Sequence, residues 1–309
     1  MVIPPKLKKG DTVALISPSS PLAADQPVEA IAATVEKLGY RVWIGDSCHG
    51  AADCGYAAAT AEVRVRDLHR AFSDPSINGI WCTRGGSTAW QLLPHLDFEL
   101  ITANPKVFIG FSDITTLHMA FQQKCGFVTY HGPNANQTLK CNTNGAFSWR
   151  SLSGILETDT SVLIENPEGE QIVGLCPGQA AGRLAGGNLS LVTASIGTPW
   201  QIEAKDRILF LEDVGEDVYA LDRMLHQLKY SGVLDEAAGI VLGAFTNCGN
   251  TYDKEYGPGE LMKNFFADYP KPVIYNVRSA HCEPMVTLPM GRWCKIDGTE
   301  RTMVLDDCL

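Results

Sequence analysis

The chain has 309 residues, 45% of them hydrophobic and 19% charged, and a net charge of −10. That composition supplies core for one large domain or two, and its acidic balance, without a basic block, makes nucleic acid a poor partner. No apolar run approaches the length of a membrane span and Met1 to Lys6 lead into no signal-peptide core, so a cytoplasmic protein without a membrane partner is expected. The ten cysteines are scattered and form no Cys-x-x-Cys, which reads as reduced thiols, with a zinc site the weaker alternative.

Thr12 to Ile16 is an apolar run of buried-strand type, ended by the turn-rich Ser17 to Pro21. Val28, Ile31, Val35 and Leu38 predict a helix, with Gly39 after its end. Arg41 to Ile44 is the next strand. An alanine-rich loop then leads to a helix striped by Val65, Leu68 and Phe72. Gly79 to Thr83 is a strand, and Arg84-Gly85-Gly86-Ser87 is expected to open another helix. Val107 to Ile109 follow Pro105 as a strand, and Ile114, Leu117 and Phe121 give the next segment one apolar helical face. Alternating strands and helices predict a parallel sheet covered on both faces, an α/β fold. Ligands in such sheets gather at the carboxyl ends of strands, where Gly85, Gly86 and Ser112 fall.

Residues 157–182 are rich in Gly, Pro and acids and read as a linker between domains at 1–156 and 183–309. Beyond it come Gly186-Gly187-Asn188-Leu189, a strand at Arg207 to Leu211, and a helix marked by Val218, Leu221, Leu225 and Leu228. Strands at Ile240 to Leu242 and Val273 to Tyr275 precede a β-like tail with tight turns such as Asp297-Gly298. The second half is expected to be a smaller, barrel-like sheet with helices.

Ser112 sits at a strand-to-helix switch, where a hydroxyl can stand exposed beside helical N–H groups, as a nucleophile needs. The Gly-x-Ser-x-Gly elbow lacks its last glycine, since Ile114 stands there, so a helix N-cap serine stays open. Its base is sought among seven histidines. His69, His95 and His226 belong to helices, and His118 is expected to point away from the turn. His131 follows a strand and could line a cleft, and His281 lies in an irregular loop after one, where catalytic groups are held. Glu212 ends an apolar strand, where a charge needs a partner, with Asp213 and Asp113 as the alternatives. The amides of Asp113 and Gly86 are candidate oxyanion donors, although Gly85-Gly86 could be a plain tight turn or a phosphate nest. Arg84 could bind a substrate carboxylate, or face solvent or pair with a structural acid. No metal-ligand constellation is present, and no cofactor is expected.

Gly110-Phe111-Ser112-Asp113-Ile114-Thr115 resembles the nucleophile motif of the LD-carboxypeptidases, the serine peptidase family that also contains the microcin-immunity peptidases. Pro18 to Pro21, Thr83 to Gly86, Gly186 to Leu189, Phe210 to Asp213, Leu221 to Leu225 and Leu288 to Gly291 match in the same order, nearly end to end. The resemblance implies a flavodoxin-like first domain and a swivelling β-barrel second domain. It also implies a homodimer, a triad of Ser112, His281 and Glu212, and an oxyanion hole at Gly86 and Asp113. The implied activity is cytosolic removal of the terminal D-alanine from murein tetrapeptides. A muropeptide or other small peptide is then the substrate. Two readings stand beside it: an immunity-type peptidase cleaving peptidyl-aminoacyl-nucleotides, and a non-catalytic two-domain protein closing over a ligand. One departure stands out: Ala280 occupies the position before the histidine where the family usually has glycine.

Overall fold

A computed structural model describes residues 1–50, 55–140, 143–157 and 160–306. Part of the expected alanine-rich loop, at 51–54, lies outside the described residues. The chain divides into two compact units, Met1–Thr158 with Thr287–Pro289, and Asp159–Val286 with Met290–Leu309.

The first unit follows the predicted alternation: β1 (Thr12–Ile16), α1 (Val28–Lys37), β2 (Arg41–Ile44), α2 (Ala61–Ser73) and β3 (Gly79–Cys82). It continues through α3 (Phe98–Ala103), β4 (Val107–Gly110), α4 (Thr115–Ala120), β5 (Thr129–His131) and α5 (Thr143–Glu157). The strand order β2-β1-β3-β4-β5, with every neighbouring pair parallel, is the flavodoxin-like order. All residues of β3 and β4 are buried, as strands covered on both faces must be. Phe72 of α2 packs on Phe108, Phe121 and Phe127 at ring separations of 6.3, 5.4 and 6.0 Å, which glues one helical layer to the sheet. The helix expected to open at Arg84 does not. Residues 83–88 stay irregular, and a 3₁₀ turn runs from Ala89 to His95 with Pro94 inside it.

The second unit carries β6 (Val162–Leu163), β7 (Val173–Cys176), β8 (Gln179–Asn188), α6 (Leu189–Ala194), β9 (Arg207–Val214), α7 (Val218–Tyr230) and α8 (Val233–Glu236). Then come β10 (Gly239–Thr246), α9 (Pro258–Phe265), β11 (Val273–Tyr275), β12 (Leu288–Met290), β13 (Trp293–Asp297) and β14 (Thr302–Asp306). Strand β12 adds to the edge of the first sheet beside β5, and the rest form a second sheet in the order β6-β14-β13-β8-β9-β10-β11-β7.

Two expectations are corrected here. The second sheet is open, from edge β6 to edge β7, and is no closed barrel. Its centre, β8-β9-β10-β11, is parallel and fed by helices, which builds an open α/β sheet, while β13 and β14 extend one flank antiparallel. The stretch 157–182 also differs from a linker, because β6, β7 and the start of β8 lie within it. Its glycines and prolines punctuate short strands, as in the turn where Glu170 N donates to Pro167 O.

Candidate active site

Strand β4 ends at Gly110, Phe111 is extended, and Ser112 then turns at φ +67° into a 3₁₀ turn, Ser112–Ile114, that leads into α4. A side chain rarely adopts that left-handed conformation, which costs of the order of 1–3 kcal/mol and persists only where its surroundings enforce it. An N-cap residue is extended, so the N-cap reading of Ser112 does not apply. The enforcement comes from β5 and α4. Phe111 N donates to Asn134 Oδ1 at 3.2 Å, and Gly132 N donates to Gly110 O at 3.2 Å. His118, expected to face away, reaches back instead, with Nε2 2.8 Å from Gly110 O. Helical side chains tilt toward the helix N-terminus, which carries the ring back to the elbow. Burial pulls the His118 pKa down to about 4, so the ring is neutral. Nε2–H donates to the carbonyl, and Nδ1 accepts from Thr129 Oγ1 at 2.8 Å. His131 lies within β5, buried, with its ring beside Phe111 and His118, and not at the lip of a cleft.

The Gly85-Gly86 turn lies against the serine. A Cβ on Gly85 would come 2.7 Å from Ser112 Cβ and 3.1 Å from its Oγ, and Gly86 has φ +148°. Only glycine fits this approach. The Asp113 carboxylate, 2% exposed, accepts from Ser19 Oγ at 2.5 Å and from Ala89 N at 2.8 Å. The exposed Arg84 donates to Pro21 O at 2.9 Å, so it bridges two loops.

In the second unit, His281 and Glu212 come together, with Nδ1 2.8 Å from Oε2 and side chains 16% and 0% exposed. Burial pushes the Glu212 carboxyl up, while the hydrogen bond and charge of His281 pull it back and Asp213 raises it further. Successive strand residues face opposite ways, and Asp213 turns from the histidine to Asn188 Nδ2, Ser190 N and Oγ, and Val214 N. Gly243 leaves room for the glutamate, since a Cβ there would lie 2.9 Å from Glu212 Cβ. Ala280 takes φ +79° although it is not glycine, so the left-handed backbone before the histidine is kept. Hydrogen bonds close that loop on itself, with Val286 N donating to Arg278 O at 2.6 Å and Ser279 Oγ to Val286 O at 2.8 Å. Among the described residues no group of three or more His, Cys, Asp or Glu could hold a metal ion.

The elbow with its glycine turn in the first unit, and the histidine–glutamate pair in the second, each have features that acyl-transfer chemistry uses. Residues 13–132 match the LD-carboxypeptidase N-terminal domain and residues 181–296 its C-terminal domain. The chain belongs to the LD-carboxypeptidase family. It is a serine-type carboxypeptidase. The probable murein peptide carboxypeptidase of Bacillus subtilis is 34% identical over 304 residues, 98% of this chain and 94% of that one. The muramoyltetrapeptide carboxypeptidase of Oxalobacter formigenes superposes with a TM-score of 0.81 at 28% identity, covering 95% of this chain and 97% of its own. The microcin C7 self-immunity protein MccF, in an inactive mutant apo state, gives 0.91 at 25% identity, covering 99% and 98%.

Ser19, Asn134 and His118 brace this site, and reading along the chain missed all three. Their partners are backbone groups and loop side chains far away in sequence, which no periodicity reveals. For His118 alone a local signal existed, the backward tilt of helical side chains six residues after the serine.

Proposed function

We propose that this carboxypeptidase cleaves the L,D bond before the terminal D-alanine of murein tetrapeptides, in the cytosol, as a step of cell-wall recycling. The observation that carries the reading is Ser112, held left-handed at a strand-to-helix elbow with Gly85 pressed against it. The names of the relatives support the substrate class.

In this reading Ser112 Oγ attacks the carbonyl of the third residue and His281 takes its proton. Glu212 holds the imidazole tautomer and stabilises the imidazolium through Nδ1. The amides of Gly86 and Asp113 receive the oxyanion. The C–N bond then breaks, His281 returns the proton to the departing amine, and water releases the acyl-enzyme by the same steps in reverse roles. Arg84, beside the glycine turn, holds the free carboxylate of the terminal residue, as an exopeptidase requires.

The test is liquid chromatography with mass spectrometry on defined muropeptides, together with a fluorophosphonate probe. The probe is expected on Ser112. Ser112→Ala and His281→Ala should lower turnover on the order of 10⁴-fold or more, and Glu212→Gln less. Tetrapeptide should be trimmed to tripeptide while pentapeptide ending in two D-alanines survives. Full activity in Ser112→Ala ends the serine mechanism, and equal loss from both peptides ends the L,D assignment. The likeness to the self-immunity protein favours a second reading, cleavage of a peptidyl-aminoacyl-nucleotide. Turnover of such a conjugate with tetrapeptide left intact would select it.

A further inference from the structure

We infer that a buried polar chain, Asp113–Ser19–Thr88–Arg64, positions the Gly85-Gly86 turn over the nucleophile and so sets one oxyanion donor relative to the other. The inference rests on the reading of Ser112 as nucleophile.

Four side chains beneath the turn are buried: Ser19 at 0%, Arg64 and Thr88 at 1%, and Asp113 at 2% exposure. Arg64 has a fan of acceptors on the surrounding loops. Its Nε donates to Ala59 O at 2.9 Å, and Nη1 to Pro18 O at 3.0 Å, Thr88 O at 3.1 Å and Thr88 Oγ1 at 3.0 Å. Nη2 donates to Gln91 Oε1 at 2.5 Å. From Thr88 the chain continues through its N–H to Ser19 Oγ at 3.3 Å, and from Ser19 Oγ to Asp113 Oδ2 at 2.5 Å. The same carboxylate oxygen takes Ala89 N at 2.8 Å. A guanidinium and a carboxylate are thus linked through two hydroxyl residues, and the links cross three loops.

Those loops carry the chemistry. The segment between β3 and the 3₁₀ turn is pinned at its start, where Thr83 N donates to Ile16 O, and at its end by Arg64 and Asp113. Gly85 and Gly86 lie between the two pins. Ser20 N donates to Gly85 O at 3.2 Å, and a Cβ on Gly86 would lie 2.6 Å from Ser19 Oγ, so the serine loop touches the turn itself. Asp113 also follows Ser112 directly. One residue therefore offers its own amide as a donor and, through its carboxylate, holds the turn that offers the other.

Stability alone does not call for this arrangement, because buried ionic groups are commonly replaced by apolar ones at no loss of stability. Placement does call for it, because oxyanion donors act only when fixed beforehand, and a displacement of about 1 Å can lower a rate a hundredfold.

The experiment compares wild type with Ser19→Ala, Asp113→Asn and Asp113→Ala. It reads kcat and KM on tetrapeptide, labelling of Ser112 by a fluorophosphonate, and affinities for a phosphonate transition-state mimic and for the tripeptide product. In Ser19→Ala and Asp113→Ala, kcat should fall about tenfold to a hundredfold with KM within about twofold. Affinity for the phosphonate should fall in parallel while tripeptide affinity holds. Asp113→Asn keeps an oxygen to accept from Ser19 and Ala89 and should recover most of the rate. Unchanged kcat in both alanine variants, or equal loss of phosphonate and tripeptide affinity, would overturn the inference. Should Asp113→Ala fail to fold, Ser19→Ala, which removes one hydroxyl, decides alone. Absence of label on wild-type Ser112 removes the nucleophile reading and this inference with it, whereas labelled wild type with indifferent variants removes the inference only.

Discussion

Ser112 at φ +67° and Ala280 at φ +79° hold side chains where the Cβ crowds the following carbonyl, a cost of about 1–2 kcal/mol each. Ser112 is the proposed nucleophile and Ala280 precedes the proposed base, and neighbours have to hold both there. Gly85 is the neighbour with least freedom. In Gly85→Ala the new methyl would stand 2.7 Å from Ser112 Cβ and 3.1 Å from Phe111 O, and the elbow has to move. Turnover should fall about a hundredfold or more, with the melting temperature shifted by only a few degrees. Steady-state kinetics beside a thermal melt checks this, and an active Gly85→Ala enzyme would show that the contact is soft. Cys282 adjoins His281 and invites suspicion as a reactive thiol. Burial pushes its pKa up to about 12, Arg278 pulling back and Glu212 adding to the rise. Very little thiolate then exists at pH 8, and the thiolate is the reactive form. Iodoacetamide at that pH should leave Cys282 unmodified and turnover intact, as peptide mass spectrometry will report. Alkylation at Cys282 with loss of activity would contradict the assignment.

Helix α4 owes its placement to His118, which ties it back to the end of β4 through Gly110 O. That tie titrates. An unfolded histidine takes a proton near pH 6.5, whereas the buried ring does so only near 4. Between these values the unfolded chain binds a proton that the folded chain refuses, so stability falls as pH drops from 6.5 toward 4 and is fully kept above 6.5. The loss amounts to ~2 kcal/mol by pH 5. Melting curves at pH 7 and pH 5 should show a larger drop for wild type than for His118→Gln, and identical drops would remove His118 from the acid response. Elements of this kind mark the limit of what patterns reveal. The strands β1, β3 and β4 were legible because unbroken apolar runs have one comfortable place, inside a sheet covered on both sides. Ser112 could be singled out because it stands just beyond the end of β4, Glu212 because its charge interrupts the apolar run of β9, and His281 because it lies in the irregular loop that follows β11. The open second sheet was not legible, since β6 has two residues and β7 is interrupted by Gly174, followed by Pro177 and buried only at its end, so neither forms an unbroken apolar run. Nor were the braces, because Arg64 meets Pro18 across 46 residues and Ser19 meets Asp113 across 94, and such contacts exist only after folding.

Across the whole chain, the first unit is completed by a strand that comes from far along the sequence. No helix among the described residues is long and apolar enough to cross a membrane. What the chain does instead is leave the second unit at Thr287, give β12 to the first sheet, and return at Met290. The first unit therefore takes an edge strand from a point far beyond its own contiguous sequence. That strand covers β5, and Thr287 N donates to Ser151 Oγ of α5 at 2.9 Å while Gly132 leaves room for the Thr287 side chain. A fragment of residues 1–157 would expose the β5 edge and lose that anchor, and an uncovered edge invites association with other chains. The fragment also holds Ser112 without His281 or Glu212. It should be less soluble than the full chain, melt lower, and trim no tetrapeptide. A synthetic peptide spanning 284–292 should restore part of its solubility and melting temperature while leaving it inactive, because the peptide returns the strand and not His281, the proposed base. Light scattering and melting curves with and without the peptide decide the matter: a fragment that stays monomeric at full melting temperature without it would show that β12 is dispensable to the first sheet.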